Sequence, residues 1–199
     1  MNAVVEEKPK ALLKLDLGCG PNKRAGFTGV DSRAFAGVDQ VVNLAEQRKY
    51  QGDSLGFKPW PWEDASVEEI HASHIVEHFT ALERIHIFNE MYRVLIPNGK
   101  ATIITPWCAS GRAYGDPTHQ WPPVCEMSYY YLNKEWRRVN APHTDAEWMA
   151  SGYTCDFDHS GGYNWHPEVA IRNAEYQMYA AKFLKEAAQD LIVTVVRRP

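Results

Sequence analysis

The sequence lacks two features of membrane and secreted proteins. It has no apolar run near the roughly 20 residues that a membrane helix requires, and no charged segment followed by an apolar one begins at Met1. Its four cysteines, Cys19, Cys108, Cys125 and Cys155, show no C-x-x-C spacing, so neither a disulfide framework nor a zinc knuckle is predicted. We therefore expect a cytoplasmic protein with reduced thiols and no membrane partner.

The sequence also lacks an excess of positive charge. Its 199 residues carry 21 Lys and Arg against 25 Asp and Glu, which gives a formal net charge of -4. A surface that neutralises many phosphates is therefore not indicated, although a local basic groove is compatible with this average. With 45% hydrophobic residues, this length predicts one domain over residues 1–199. The oligomeric state is not indicated.

The most informative segment is LDLGCGPNKRAGFTGVD, at residues 15–31. A short apolar stretch ends before Gly18 and Gly20, which have no side chains to keep the backbone amides away from a ligand. Asp16 and Asp31 offer carboxylates that can accept bonds from an ammonium group and from ribose hydroxyls. The third glycine of the dinucleotide fingerprint is missing, which disfavours a pyrophosphate cofactor. The segment predicts a site for a nucleoside cofactor.

The rest of the chain alternates between predicted strands and helices. Strands are predicted at residues 11–17, 27–30, 38–42, 67–72, 100–105 and 191–196. Thr80 and Glu83 form a capping box that begins a helix, and the turn at residues 97–99 ends it. Pro167 opens a second helix, in which one predicted apolar face contains Ile171, Ala174, Met178, Ala181 and Leu184. This alternation predicts a parallel sheet.

Four segments together resemble the class I S-adenosylmethionine (SAM)-dependent methyltransferases, of the small bacterial and phage type similar to methyltransferase-11 domains. They are LDLGCGPNKRAGFTGVD, VDQVVNL, VEEIHASHIVEHF and EMYRVLIPNGKATIITP. The resemblance implies a Rossmann-like α/β fold, whose seven-stranded, mostly parallel sheet has an antiparallel strand near one edge and helices on both faces. It also implies methyl transfer from SAM to a nucleophilic oxygen or nitrogen, with S-adenosylhomocysteine (SAH) as product.

The resemblance also implies a set of cofactor contacts. The predicted cofactor-binding residues are Asp16, Gly18, Cys19, Gly20, Asp31, Ser32, Asn43, Leu44, Ser73 and His74. In this set Asp16 lies at the methionine half of SAM, Asp31 at the ribose, and Asn43 at the adenine edge. Only a short segment separates Gly20 from Asp31, so the helix that normally follows the glycine loop is expected to be abbreviated.

Three histidines are candidate catalytic residues. His74 and His78 follow the fourth predicted strand, and His119 ends an Asp-Pro-Thr-His segment that similar sequences often carry after the fifth. Each could take a proton from the acceptor, because imidazole titrates near working pH, or could instead fix its loop by packing and hydrogen bonds. Glu77 is predicted to orient a partner.

Residues 74–78 also fit H-x-x-E-H, the zinc-binding order of inverzincin peptidases. A peptidase requires this motif inside a helix, whereas here it directly follows a predicted strand. No metal is therefore predicted, and a zinc metallopeptidase stays the least favoured alternative.

Residues 107–166 are predicted to form an aromatic-rich, substrate-site insertion after the fifth strand. Its aromatic residues include Trp107, Trp121, Tyr129, Tyr130, Tyr131, Trp136, Trp148 and Trp165. We expect most of these rings to pack in the core and one or two to wall an acceptor site at the sheet's carboxyl edge.

The sequence leaves the acceptor open. No [Asp/Asn/Ser]-Pro-Pro-aromatic motif follows the fourth strand, and no basic, aromatic-interleaved segment is evident, so a small molecule is favoured over nucleic acid. The main alternative to an active enzyme is a catalytically inactive SAM- or SAH-binding module with a regulatory or interaction role.

Overall fold

The computed structural model describes residues 11–49 and 55–199. The strands are β1 Leu13–Leu17, β2 Thr28–Asp31, β3 Gln40–Val41, β4 Gln47–Lys49, β5 Leu55–Phe57, β6 Val67–Ser73, β7 Leu95–Pro106, β8 Phe157–Trp165 and β9 Ala188–Arg197. The helices are α1 Ala81–Val94, α2 Arg112–Gly115, α3 Glu126–Tyr130, α4 Lys134–Asn140, α5 Pro167–Ala170 and α6 Ala174–Phe183, with 3-10 turns at Val76–His78 and Pro142–Thr144. Within the described ranges, none of these helices has the length and apolarity needed to span a bilayer.

Seven of the strands form one sheet with the order β3-β2-β1-β6-β7-β9-β8. The pairings from β3 through β7 are parallel, while β9 is antiparallel to both β7 and β8. The predicted α/β fold, with a mostly parallel sheet and an antiparallel strand near one edge, is confirmed. The strand order reverses between β1 and β6, and this is where open α/β sheets form a crevice at the carboxyl ends of their strands.

One face of the sheet is the core. Leu15, Ile70, Ala101 and Val195 lie side by side across four strands, and all are fully buried. Helix α1 packs in the same apolar cluster through residues that include Met91. Burying these side chains is the main favourable contribution to folding.

The opposite face of the sheet is more open. Lys14, Glu69 and Lys100 lie in register across it, and the Glu69 carboxylate pairs with the two ammonium groups at 2.9 and 3.5 Å. Residues 18–27, between β1 and β2, form turns instead of a helix, as the short spacing in the sequence predicts. Helical cover is therefore uneven between the two faces.

Helix α1 begins where the sequence predicts. The Thr80 backbone N–H donates to the Glu83 carboxylate at 2.7 Å, and the Glu83 N–H donates to the Thr80 hydroxyl at 3.4 Å, which completes the capping box. The helix ends at Val94 and β7 starts at once. The predicted turn at residues 97–99 forms as an irregularity within β7, where Asn98 has a φ of 63°.

The region after Pro106 differs from the predictions in two places. The last part of the predicted insertion, Phe157–Trp165, is strand β8 of the main sheet. The single helix predicted from Pro167 is wrong, because the chain breaks into α5 and α6. The break occurs at Asn173, whose side chain accepts a hydrogen bond from the Tyr176 N–H at 2.9 Å and caps α6.

Candidate active site

A cavity of about 470 Å³, here called the first cavity, lies at the carboxyl ends of β1, β2 and β6. Six of the predicted cofactor residues line it: Gly18, Asp31, Ser32, Asn43, Leu44 and His74. The volume lies within the range of about 300–1,000 Å³ that is typical of small-molecule sites. The structure therefore brings together residues from four separate segments of the chain around one cavity.

Asp16, Cys19, Gly20 and Ser73 do not line the first cavity. Asp16 is buried, and its carboxylate accepts a hydrogen bond from a backbone amide and contacts His71 Nδ1 at 2.8 Å. Burial raises the pKa of the Cys19 thiol, which disfavours a reactive thiolate there. The cofactor contacts assigned to these four residues stay predictions.

Three aspartates hold the glycine loop in place of a helix; we call them the aspartate clasp. Asp16 accepts a hydrogen bond from the Arg24 N–H at 2.7 Å, and Asp31 accepts one from the Gly20 N–H at 3.0 Å. The third, Asp39, accepts a hydrogen bond from the N–H of residue 29 at 2.7 Å. Because these bonds fix the backbone on both sides of the loop, the floor of the first cavity is shaped before any ligand binds.

Asp31 retains the capacity to bind a ligand. Its Oδ2 accepts from the Gly20 N–H and its Oδ1 accepts from the Arg33 N–H, each at 3.0 Å. Since each carboxylate oxygen has two acceptor positions, both oxygens can also accept a hydroxyl from the cavity side. This is the bidentate arrangement predicted for a ribose.

Gly18 is required by both conformation and space. Its φ is 65°, and a Cβ at this position would lie 2.7 Å from the Ile75 side chain. The remaining wall of the first cavity is largely apolar and comes from Phe35, Val42, Ile75 and Phe79. Sequence reasoning missed these four residues, because nothing distinguishes them from ordinary core positions.

We expect Gly18→Ala to destabilise the fold more than Gly20→Ala. Both positions have positive φ, which costs a residue with a Cβ about 1–2 kcal/mol, but no atom lies within 4 Å of a Cβ at Gly20. The clash with Ile75 adds about 1–3 kcal/mol at Gly18 alone. Chemical denaturation of both variants measures the difference, and the losses of Gly18→Ala and Ile75→Ala should be less than additive, because Ile75→Ala removes the Cγ1 and Cδ1 atoms that clash. Equal losses in the two variants would contradict the clash.

A second cavity of about 630 Å³ adjoins the first. All three predicted catalytic histidines, His74, His78 and His119, line it, together with Glu77 and Arg112. His74 and His78 also line the first cavity, so the two cavities share a wall. The sequence-predicted candidates are thus brought together even though His119 lies far from the other two along the chain.

His74 is held between two carboxylates. Its Nδ1 lies 3.3 Å from Glu77 Oε1 and its Nε2 lies 3.8 Å from Asp190 Oδ1. The hydrogen bond to Glu77 raises the pKa of His74. His74 also has a φ of 53°, which is uncommon for a residue other than glycine and clusters at functional sites. Glu77 thus contacts His74 as predicted for a residue that orients a partner.

His78 and His119 lie edge to face, with ring centroids 4.8 Å apart. His78 Nδ1 lies 2.9 Å from the Thr118 hydroxyl, and His119 Nδ1 lies 3.3 Å from the Ala113 carbonyl oxygen. Each ring is therefore oriented by one hydrogen bond through Nδ1 and keeps its other nitrogen for the cavity.

Arg84 joins the two segments that carry these histidines. From α1, its guanidinium donates to the carbonyls of Val76 at 3.1 Å, Glu77 at 3.2 Å and Gln120 at 2.9 Å, and also to that of Pro122. Arg84 is only 7% exposed. Sequence reasoning missed this residue, which has no direct access to either cavity but fixes their shared wall.

The predicted aromatic wall is not found. The second cavity is lined by histidine, charged residues, proline and glycine, without Trp or Tyr. Trp107 and Tyr129 are buried in the core, where Trp107 Nε1 donates to Glu126 at 2.9 Å, while Trp121 and Trp148 are exposed. Tyr129, Tyr130 and Tyr163 line a separate, smaller cavity of about 140 Å³ beside β8 and β9, and no tyrosine or tryptophan lines the second cavity.

The helix that a peptidase motif requires is also not found. His74 directly follows β6, and Val76–His78 form a single 3-10 turn before α1 begins at Ala81. The H-x-x-E-H residues are consequently not spaced along an α-helix, and the zinc metallopeptidase alternative loses its structural basis.

Comparison with known proteins finds one matching family model and several solved structures of similar fold. A family model described as a methyltransferase domain matches residues 15–103, just under half of the chain. No curated protein sequence has a significant match. A SAM-dependent methyltransferase from Archaeoglobus fulgidus is similar in structure, with a TM-score of 0.55, 15% identity, and coverage of 94% of this chain and 87% of that one.

Two further solved structures have the same fold. The YcgJ protein from Bacillus subtilis has a TM-score of 0.52 at 12% identity, with 96% of this chain and 93% of that one covered. The 1,6-didemethyltoxoflavin-N1-methyltransferase from Burkholderia thailandensis, with 1,6-didemethyltoxoflavin and SAH bound, has a TM-score of 0.51 at 12% identity, with 94% of this chain and 71% of that one covered. These identities are evidence for a shared fold and not for a shared acceptor.

The matched residues run from β1 into β7 and contain both the glycine loop and the shared histidine wall. The seven-stranded, mostly parallel sheet with an antiparallel strand near one edge agrees with the sheet implied by the family resemblance. Residues 15–103 therefore match a methyltransferase-domain model, and the chain as a whole has the fold of SAM-dependent methyltransferases of known structure.

Proposed function

We propose that this protein is an active methyltransferase that binds SAM in the first cavity and its methyl acceptor in the second. The observation that carries this proposal is the shared wall, because His74 and His78 border both cavities. Methyl transfer is an in-line displacement, and holding donor and acceptor in contact supplies much of its acceleration. Two adjoining cavities provide this arrangement.

The lining of the first cavity supports SAM as the cofactor. Asp31 and Ser32 offer hydrogen-bond acceptors for the ribose, and Asn43 and Leu44 lie where the adenine edge is expected. Gly18 brings bare backbone to the methionine half. The apolar wall opposite these groups suits the purine ring.

The lining of the second cavity favours a small polar acceptor. Its charged lining residues have both signs, with Glu77 and Asp116 on one side of the balance and Arg112 on the other. A volume of about 630 Å³ is enough for a small molecule. Nucleic acid stays the alternative acceptor, for which the net charge of -4 gives no support.

An inactive SAM- or SAH-binding module is the second candidate function. It shares the first cavity with the enzyme and differs only in the use of the second. An assay with methyl-labelled SAM and a library of small hydroxyl- and amine-containing acceptors distinguishes the two functions. An active enzyme transfers the label to at least one acceptor, whereas an inactive module labels none of them.

Calorimetry with SAM, SAH and NAD tests the cofactor. We expect SAM and SAH each to bind with a stoichiometry of one and to compete for the same site. We expect no measurable binding of NAD, because the third glycine of the pyrophosphate-binding fingerprint is missing. Binding of NAD alone would overturn the proposal.

Asp31→Ala is expected to weaken SAM binding by about 10- to 100-fold. Two ribose hydroxyls would lose a charged acceptor, and a hydrogen bond to a charged group contributes about 1.5–3 kcal/mol. Asp39→Ala is the matched control, because Asp39 belongs to the same clasp but does not line the first cavity. Equal loss of SAM affinity in both variants would assign Asp31 to loop structure alone.

A further inference from the structure

Three potential metal ligands converge on the wall of the second cavity. Glu77, His78 and His119 each place one ligand atom within 4.8 Å of the other two. All three residues line the cavity. Two imidazoles and one carboxylate form a ligand set that suits first-row transition metals better than Mg²⁺ or Ca²⁺, which prefer oxygen ligands.

The Glu77 carboxylate has one oxygen without a partner. Glu77 is only 5% exposed, and its Oε2 has no hydrogen-bond donor among the described residues, whereas its Oε1 contacts His74 Nδ1. A buried carboxylate oxygen that lacks a donor is costly, so native proteins satisfy such an atom with a donor, a water or a cation. This oxygen is an observation independent of the clustering of the three side chains.

The hydrogen bonds of the two rings leave Nε2 free to bind a metal. The Ala113 carbonyl can only accept, so His119 Nδ1 carries the proton that it donates there. The Thr118 hydroxyl donates to Asp116 Oδ1 at 2.6 Å and can therefore only accept from His78 Nδ1. Nδ1 is protonated in both rings, which leaves the lone pair on Nε2.

Such outer hydrogen bonds are typical of metal-binding histidines, whose second nitrogen usually donates to a carbonyl or, directly or through another group, to a carboxylate. His119 donates to a carbonyl, and His78 donates through Thr118 toward Asp116. His119 Nε2 also lies 3.8 Å from Asp116 Oδ2, which adds negative charge beside the cluster.

The backbone holds the ligands in position. The Gln120 N–H donates to the Glu77 carbonyl at 2.8 Å, which joins the residue after His119 to the residue before His78. Arg84 donates to both of the same carbonyl-bearing segments. The ligand set is therefore preorganised, which reduces the conformational entropy lost on binding an ion.

We propose that Glu77, His78 and His119 bind one divalent first-row transition-metal ion, with the remaining coordination positions facing the second cavity. This role rests on the proposed function: the ion binds the acceptor through a hydroxyl oxygen and lowers the pKa of that hydroxyl. The hydroxyl proton leaves to solvent, the oxygen forms the new bond to the methyl carbon, and the electron pair of the broken carbon–sulfur bond stays on sulfur in SAH.

Cobalt titration of the full-length, chelator-treated protein tests the metal site without any activity measurement. We expect one equivalent of Co²⁺ to bind with d–d absorption from nitrogen and oxygen ligands, and Zn²⁺ to displace it. Glu77→Gln and His119→Asn should abolish this binding. His143→Asn, at an exposed histidine outside the cluster, is the matched control and should bind as the unchanged protein does.

Thr118→Val provides a graded variant. It removes the hydroxyl that orients His78 but keeps all three ligands, so we expect metal affinity to fall by about 10- to 100-fold without being lost. If Glu77→Gln does not fold, as judged by thermal melting, His119→Asn and Thr118→Val decide the result.

Three results would overturn the metal proposal. They are no stoichiometric binding of Co²⁺ or Zn²⁺, binding that survives in His119→Asn, or a thiolate charge-transfer band that assigns the ion to the neighbouring thiols of Cys108 and Cys125. SAM binding to the metal-free protein is measured in parallel. SAM binding without metal binding contradicts only this inference, whereas metal binding without SAM binding contradicts the proposed function and the acceptor role that rests on it.

Discussion

Arg84→Met is expected to lower the free energy of unfolding by about 3–5 kcal/mol. The substitution keeps most of the apolar stem but removes the guanidinium donor from the carbonyls of Gln120 and Pro122, and one of the two donors from the buried carbonyls of Val76 and Glu77. Hydrogen bonds to a charged group contribute about 1.5–3 kcal/mol each. Because a domain of this size is stable by only about 5–15 kcal/mol, the loss is a large fraction of the total. Urea denaturation measures it.

The Arg84 experiment has a control and a distinct second readout. Arg138→Met changes an exposed arginine on α4 that forms an ion pair with Glu135 at 3.9 Å. This substitution should change the free energy of unfolding by less than about 0.5 kcal/mol. If the Arg84→Met variant still folds at low temperature, its affinity for metal should fall together with its stability. The reason is that Arg84 binds both segments that carry the proposed metal ligands. Stability unchanged within error in Arg84→Met would contradict its proposed role.

Arg137→Ala is expected to lower the free energy of unfolding by about 3–5 kcal/mol. Arg138→Ala, at the neighbouring position, is expected to leave it almost unchanged. Arg137 is fully buried and donates to Asp145 Oδ2 at 3.0 Å and to the carbonyls of Tyr131 at 2.7 Å and Cys155 at 2.8 Å. Its removal leaves the buried Asp145 carboxylate without a counterion. The two variants change the same residue type on the same helix, so comparing their denaturation midpoints isolates the effect of burial.

The Arg137 effect should shrink at acidic pH. Burial raises the pKa of Asp145, but hydrogen bonds from the Glu147 backbone amide and from Arg137 outweigh it, and the pKa lies below its ordinary value. A lowered carboxyl pKa stabilises the fold above the unfolded pKa of about 3.9 and loses that contribution as the pH falls. In Arg137→Ala the unpaired carboxylate is neutralised by protonation. A stability gap that stays constant from pH 7 to below pH 4 would contradict this account.

The first cavity could be predicted largely from the sequence because its polar groups follow strands. Gly18, Asp31 and Asn43 come directly after β1, within the end of β2 and after β3, and the carboxyl ends of parallel strands meet at one edge. The apolar wall could not be predicted, because apolar side chains such as Phe35 and Phe79 have no polar group that distinguishes a cavity wall from the core. Asp16, whose oxygens contact a backbone amide and His71, does not line this cavity, and its predicted contact with the ligand stays a prediction.

The second cavity depends on contacts across long sequence distances. His119 meets His78 because the Gln120 N–H bonds the Glu77 carbonyl and Arg84 bridges both segments. A hydrogen bond between irregular backbone segments leaves no periodicity in a sequence. The same reason explains why the sequence predicted core packing for most of the aromatic residues after β7 but could not show whether any of them reaches the acceptor cavity.

The C-terminal helices show a limit of apolar periodicity. Residues from Ile171 to Leu184 recur at helical spacing, yet Ile171 is 77% exposed and Met178 is 61% exposed. Periodicity reports which side chains would share a face if the helix were continuous. Asn173 starts a new helix, which shifts the faces, so local capping overrides the longer pattern.

The aspartate clasp has a consequence for how this protein can change over time. A helix after the glycine loop would spread the rigidity of the loop over many backbone bonds, so that no single substitution could soften it. Here a single-nucleotide change can replace any of the three aspartates by asparagine or glutamate, and each replacement alters one backbone hydrogen bond of the loop. Loop stiffness, and with it the residence time of whatever lies against Gly18, can therefore be tuned in small independent steps by evolution or by design.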